Sequence, residues 1–180
     1  VRTLVIAYGN PLAGDDGIGA AVAGHFRARP GLAVEIVHQL TPELAADVAL
    51  VDRVIFVDAT TADDEVRVCS FESRGDDTAM SHTLSPAAVL HLAGVVYGRV
   101  PPAFLVTAPA YRFGIGEGLS AGARRHVRKA VEEIEALVSV EAPPPTTAQV
   151  HHAKSHRAAS TLARSDAATS NPETARKPGR

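Results

Sequence analysis

An apolar run, Leu4-Val5-Ile6-Ala7, passes directly into a glycine-bracketed acidic turn, Gly9-Asn10-Pro11-Leu12-Ala13-Gly14-Asp15-Asp16-Gly17-Ile18-Gly19. Ile18, Val22 and Phe26 then recur on one helical stripe. A strand that turns sharply into an amphipathic helix is the opening unit of an α/β sheet, and the carboxyl edge of such a sheet is where ligands bind. The turn delivers two carboxylates to that edge. A dinucleotide fingerprint needs Gly-x-Gly-x-x-Gly, so that backbone can approach a pyrophosphate. Gly14, Gly17 and Gly19 have the opposite spacing, and adjacent aspartates repel phosphate. Oxygen ligands facing a cation fit the turn better. The structural alternative is that Asp15 or Asp16 caps the helix and complements its dipole.

The remaining pattern alternates strand and helix. Strands are expected at 4–7, 33–38, 54–57, 65–71 and 103–107, and helices at 16–28, 41–50, 85–96 and 120–138. Thr41 reads as a helix cap with Pro42 at the first helical position, and Pro86 begins the third helix. Val54-Ile55-Phe56-Val57 is continuously apolar, as a parallel strand covered on both faces should be. Only a short acidic turn, Thr61-Ala62-Asp63-Asp64, precedes the fourth strand, which permits an antiparallel return but no helical crossover. These elements predict a three-layer α/β/α sandwich on a mixed, mostly parallel five-stranded sheet. The last helix carries Arg124, Arg125, Arg128 and Lys129 early and Glu132, Glu133 and Glu135 late. That order opposes the helix dipole and reads as a solvated face, or alternatively as a basic docking patch.

The chain divides near residue 140. Residues 1–140 carry a net charge of −5 and residues 141–180 one of +3. Ala142-Pro143-Pro144-Pro145 opens a segment of Ala, Ser, Thr, Arg and His that is nearly free of large apolar residues. Such a segment buries too little surface to offset its ordering entropy, so 141–180 is expected to be a disordered tail. His151, His152 and His156 read as incidental to it. The whole chain has a net charge of −2, which implies no general attraction to nucleic acid or to a membrane surface. No signal-peptide pattern opens the sequence and no apolar run reaches transmembrane length. The single cysteine, Cys69, excludes an intrachain disulfide, fits a reducing cytoplasm, and is expected to be a small buried apolar residue.

Three polar positions fall where strands should end or helices begin. Asp16 follows the first strand. Asp58 follows the third, in Phe56-Val57-Asp58-Ala59, where a carboxylate is costly without a partner or an ion. His82 lies in Ser81-His82-Thr83-Leu84-Ser85-Pro86, just before a helix. Two carboxylates and an imidazole form a facial metal site with open positions, suited to nickel, zinc, copper or iron. The alternatives are a cap for Asp16, a turn hydrogen bond for Asp58 and a helix-start contact for His82.

With these residues in place, the chain resembles the hydrogenase maturation proteases, endopeptidases that finish the large subunit of nickel-iron hydrogenases. The resemblance is carried by the turn from Gly9 to Gly19, by Phe56-Val57-Asp58-Ala59 and by Ser81-His82-x-Leu84-Ser85, and it spans roughly residues 3–138. It implies an α/β/α sandwich, with Asp16, Asp58 and His82 as metal-binding and catalytic residues. Asp15 would orient them from behind. The implied activity is removal of a C-terminal extension from the large-subunit precursor. Nickel would arrive with that substrate instead of being resident, and the three residues would fill its open positions. The resemblance also implies a cytoplasmic enzyme, often grouped with aspartic-type peptidases, although paired carboxylates sharing a proton are not evident. His38-Gln39-Leu40-Thr41-Pro42-Glu43-Leu44 resembles the form serving cytoplasmic, soluble hydrogenases. Ala7-Tyr8 replaces a glycine-containing pair common in the family and is expected to leave the ligands intact. A non-catalytic nickel-checking assembly chaperone and a general metal-dependent amidohydrolase are the competing readings.

Overall fold

Four parallel strands form the body of the sheet. They are β1 (Thr3–Tyr8), β2 (Leu32–Val37), β3 (Arg53–Thr60) and β6 (Ala103–Pro109), and β4 (Arg67–Phe71) adds an antiparallel edge in the order β2-β1-β3-β6-β4. The computed structural model describes residues 2–27, 29–73, 84–140 and 146–147. The helices are α1 (Ile18–Gly24), α2 (Leu44–Ala49), α3 (Pro86–Tyr97) and α4 (Ala121–Ser139).

The side-chain alternation of the central strands divides the core into two layers. Val5, Ala7, Ile55, Val57, Val106 and Ala108 face Ile18 and Val22 of α1 and Ala123, Val127 and Ile134 of α4. Leu4, Ile6, Val54 and Phe56 face Leu44 and Val48 of α2 and Val89, Leu90 and Ala93 of α3. Strands that are apolar on both faces thus become the middle layer of an α/β/α sandwich, as their composition predicts.

Several boundaries differ from the sequence expectation, each for a local reason. The first helix does not run from 16 to 28. A 3-10 turn, Gly14–Gly17, precedes α1, and beyond Gly24 the bonds Phe26 N to Ala23 O and Arg29 N to Phe26 O continue as three-residue turns. Likewise Leu44, Ala45 and Ala46 donate to the carbonyls of Thr41, Pro42 and Glu43. One tight turn therefore leads into α2, whose N-cap is Glu43 without a side-chain bond, and Thr41 is not the cap. Ser85 and Ser120 do cap, accepting from Ala88 N and Ala123 N. The antiparallel fourth strand pairs with β6 and not with its sequence neighbour β3.

Cys69 is exposed, which corrects its expected burial. It lies on an edge strand, whose outer backbone has no strand beside it among the described residues. Thr146–Thr147, inside the segment expected to be disordered, form β7, antiparallel to β5 (Arg99–Val100). Backbone pairing needs no large apolar side chain, so the composition of the segment does not oppose it. No helix among the described residues is long and apolar enough to cross a membrane.

The sequence gives no hint of what Arg53 does. It is 2% exposed at the start of β3. Its guanidinium donates to Leu137 O at 2.5 Å and Val140 O at 2.6 Å. Both carbonyls belong to the C-terminal end of α4, where unpaired oxygens and the helix dipole attract a cation.

Candidate functional site

Between β1 and β3 the sheet changes direction. From β1 the chain passes through α1, on one face, to β2. From β2 it passes through α2, on the other face, to β3. The strand ends at such a switch point diverge and leave a crevice at their carboxyl edge. Asp16 and Asp58 both lie there. The β1–β3 register pairs Ala7 with Val57, so Tyr8 and Asp58 are the next residues along each strand. The first turn of α1 crosses directly above, since a Cβ on Gly19 would come within 3.1 Å of Val57 O and 3.2 Å of Tyr8 O. Asp16 immediately precedes this crossing.

One oxygen of each carboxylate is held by a backbone amide. Asp16 Oδ2 accepts from Asn10 N at 2.6 Å, and Asp58 Oδ1 from Ala59 N at 2.8 Å. Burial raises the Asp58 pKa. Hydrogen bonding from the Tyr8 hydroxyl and the Ala59 amide opposes this rise, and the nearby Asp16 charge adds to it. Asp58 is thus close enough to Asp16 to feel its charge. Burial, followed by the Asp58 charge, pushes the Tyr8 hydroxyl well above its ordinary range. Tyr8 is therefore part of the site. The sequence marks Tyr8 only as half of the Ala7-Tyr8 replacement, because a polar aromatic at the exit of a buried strand also suits a sheet edge.

Asp58 does not follow its strand but lies within it, because β3 continues to Thr60. The Asp58–Thr107 and Thr60–Pro109 pairings with β6 carry the ladder past the last apolar residue. Neither Asp15 nor Asp16 caps a helix, since the 3-10 turn and α1 both lack side-chain caps. Asp15 is fully buried, its carboxylate bonded to the connection between β6 and α4. His82, the third expected residue, lies in 74–83, outside the described residues.

The described part of the site therefore offers two carboxylates and a tyrosine. Among the described residues no group of three or more His, Cys, Asp or Glu side chains is arranged to hold a metal ion. Two fixed carboxylates can supply two hard oxygen ligands and leave most of a metal's coordination sphere to other donors. The β6–α4 connection is bonded to the acidic turn, and there Leu12, Tyr111, Phe113 and Ile115 are 65%, 51%, 47% and 79% exposed. A separate cavity of about 770 Å³ lies against Cys69, Phe71, Pro86 and Phe104, and neither carboxylate lines it.

A doubly covered, mostly parallel sheet with two carboxylates at its switch point defines an α/β protein with an acidic strand-end crevice. Solved structures narrow the class: this is the fold of the hydrogenase maturation endopeptidases. The chain is similar to the hydrogenase maturating endopeptidase HybD from E. coli, at 22% identity and a TM-score of 0.59, over 80% of this chain and 98% of that one. It is similar to the [NiFe] hydrogenase maturation protease HybD from Thermococcus kodakarensis, at 26% identity and 0.54, over 76% and 99%. The [NiFe] hydrogenase maturation protease HycI from Thermococcus kodakarensis KOD1 matches at 18% identity and 0.61, over 77% and 93%. No family model and no curated protein matches the chain.

Proposed function

We propose that this protein is an endopeptidase that removes the C-terminal extension of a nickel-iron hydrogenase large-subunit precursor. The observation carrying this reading is the pair of backbone-held carboxylates, Asp16 and Asp58, at the switch point of a fold shared with hydrogenase maturation endopeptidases. Peptide hydrolysis needs an oriented water and a polarised carbonyl. Nickel carried by the precursor supplies the polarisation, as bound metals do in other hydrolases. Asp16 and Asp58 face that nickel with the oxygens their backbone partners leave available, and His82 is proposed as the third donor. Because the metal belongs to the substrate, an unfilled precursor offers nothing for these residues to engage. The reading also takes the protein to act where the precursor is assembled, in the cytoplasm.

The competing reading is a nickel-checking chaperone that uses the same residues for binding alone. Incubating the purified protein with the nickel-loaded precursor and weighing the products by mass spectrometry separates the two. The proposal expects a shortened large subunit and a released C-terminal peptide. A stable complex with the precursor at full length would favour the chaperone.

A further inference from the structure

Asp15 is the buried titratable group that the proposed chemistry leaves without a task. Its carboxylate is 0% exposed and accepts four hydrogen bonds. Oδ2 takes Tyr111 N at 2.9 Å, Arg112 N at 3.1 Å and Ser120 Oγ at 2.8 Å, while Oδ1 takes Ser120 N at 2.6 Å. Every donor lies in the connection between β6 and α4. The backbone joins the same two segments again. Asp15 N donates to Arg112 O at 2.7 Å and Gly116 N to Leu12 O at 2.8 Å, and Ala13 bridges Ile115. Gly14, at φ +57°, permits this closeness, because a Cβ there would stand 2.5 Å from Arg112 O. Ser120 Oγ also accepts from Ala123 N at 3.1 Å, so the clamp reaches into the first turn of α4.

The two adjacent aspartates thus have opposite surroundings. Asp15 is enclosed by the β6–α4 connection, and Asp16, next in the same 3-10 turn, bonds across that turn to Asn10 N. We propose that Asp15 is a positioning residue that locks the β6–α4 connection onto the acidic turn and thereby holds the Asp16 carboxylate in place. A short turn on a protein surface is otherwise among the easiest elements to open. Small displacements of a reacting group are expensive, about a hundredfold in rate for roughly 1 Å.

The role in cleavage rests on the proposed peptidase reading, whereas the effect on Asp16 does not. Asp15→Asn in the full chain tests both. The amide keeps the size but offers one acceptor oxygen and turns two donors toward donors. Amide exchange followed by NMR should show Tyr111, Arg112 and Ser120 exchanging at least about tenfold faster. Asn10, the reporter on Asp16, should do the same, while Ile55 and Val106 in the sheet keep their protection. On nickel-loaded precursor, kcat should fall about tenfold or more with KM within about twofold. Ser120→Ala, which removes one of the four bonds to Asp15 together with the cap bond from Ala123 N, should give the same pattern more weakly at Asn10 and carries the comparison if Asp15→Asn does not fold. The proposal is overturned if Asn10 stays protected while Tyr111, Arg112 and Ser120 become labile, because Asp15 then holds only the connection. An unchanged kcat beside a labile Asn10 would overturn it equally. If the unmutated protein does not cleave the precursor, the peptidase reading fails and Asn10 exchange alone decides the positioning role.

Discussion

Asp15, Asp16 and Asp58, three of the seven carboxylates in the first 58 residues, stand in different surroundings. Asp58 sits among apolar neighbours and beside Asp16, and its folded pKa is raised. The fold therefore disfavours its charged form, and this cost appears as pH rises through the folded pKa. Asp58→Asn should abolish processing yet raise Tm by about 2–4 °C near neutral pH. The gain should vanish as pH drops to about 4, where the wild-type carboxyl is protonated as well. Thermal scans of both proteins across that range check the sign. Asp15 is the reverse case. Burial works against its charge, but the four bonds from Ser120, Tyr111 and Arg112 outweigh it and lower the pKa. Its stabilisation is present above the unfolded value of about 4 and is lost as pH falls through the folded pKa. Wild type should accordingly lose stability below about pH 4 more steeply than Asp15→Asn does, as read from acid unfolding curves. Asp16→Ala should leave the fold nearly intact, because the residue is only partly buried at the crevice, and should remove processing of the nickel-loaded precursor.

At the scale of elements, helix ends are where distant parts of this chain hold one another. Arg53 closes the C-terminal end of α4 from the first residue of β3. Arg53→Met should cost about 1–2 kcal/mol, since hydrogen bonds from a charged donor to two part-buried carbonyls are lost. A lowered urea midpoint at unchanged m-value would show this, and an unaltered midpoint would remove Arg53 from the account. Ser85 caps α3 with Pro86 behind it, and Ser85→Ala should cost about 1 kcal/mol in the same assay. These two contacts differ in how legible they were. The Ser85 cap is local, and a serine before a proline and an apolar stretch announces it. Arg53 bonds across 84 and 87 positions, and no spacing rule reaches that far. The same holds for the Asp15 bonds to Ser120, across 105 positions. From sequence, Asp15 resembles a cap or an orienting neighbour, because helix starts favour aspartate for both reasons.

For the whole molecule, periodicity revealed the layers but not the pairing order. The continuous apolar runs of β1 and β3 foretold a sheet covered on both faces, and all four helices formed, α1 and α2 shorter than expected. The insertion of β6 between β3 and β4 was not legible, since a short acidic turn fixes strand direction and leaves the neighbour open. β3 continues to Thr60 because pairing with β6 sustains the strand after its apolar residues end. That Asp16 and Asp58 follow apolar runs was legible in the sequence, but their meeting at one switch point depends on the strand order, which local pattern does not fix. Residues 151–180 have a composition that cannot build a core, and deleting them should leave Tm and the processing rate unchanged. If Asp16 and Asp58 act on nickel borne by the substrate, matched nickel-loaded and nickel-free precursor should be cleaved at different rates. The loaded form should be processed about a hundredfold faster or more, because Lewis acidity and the site's contact with the metal are worth several kcal/mol. Equal rates for the two precursors would contradict it and leave the carboxylates to cleave the peptide without reading the metal.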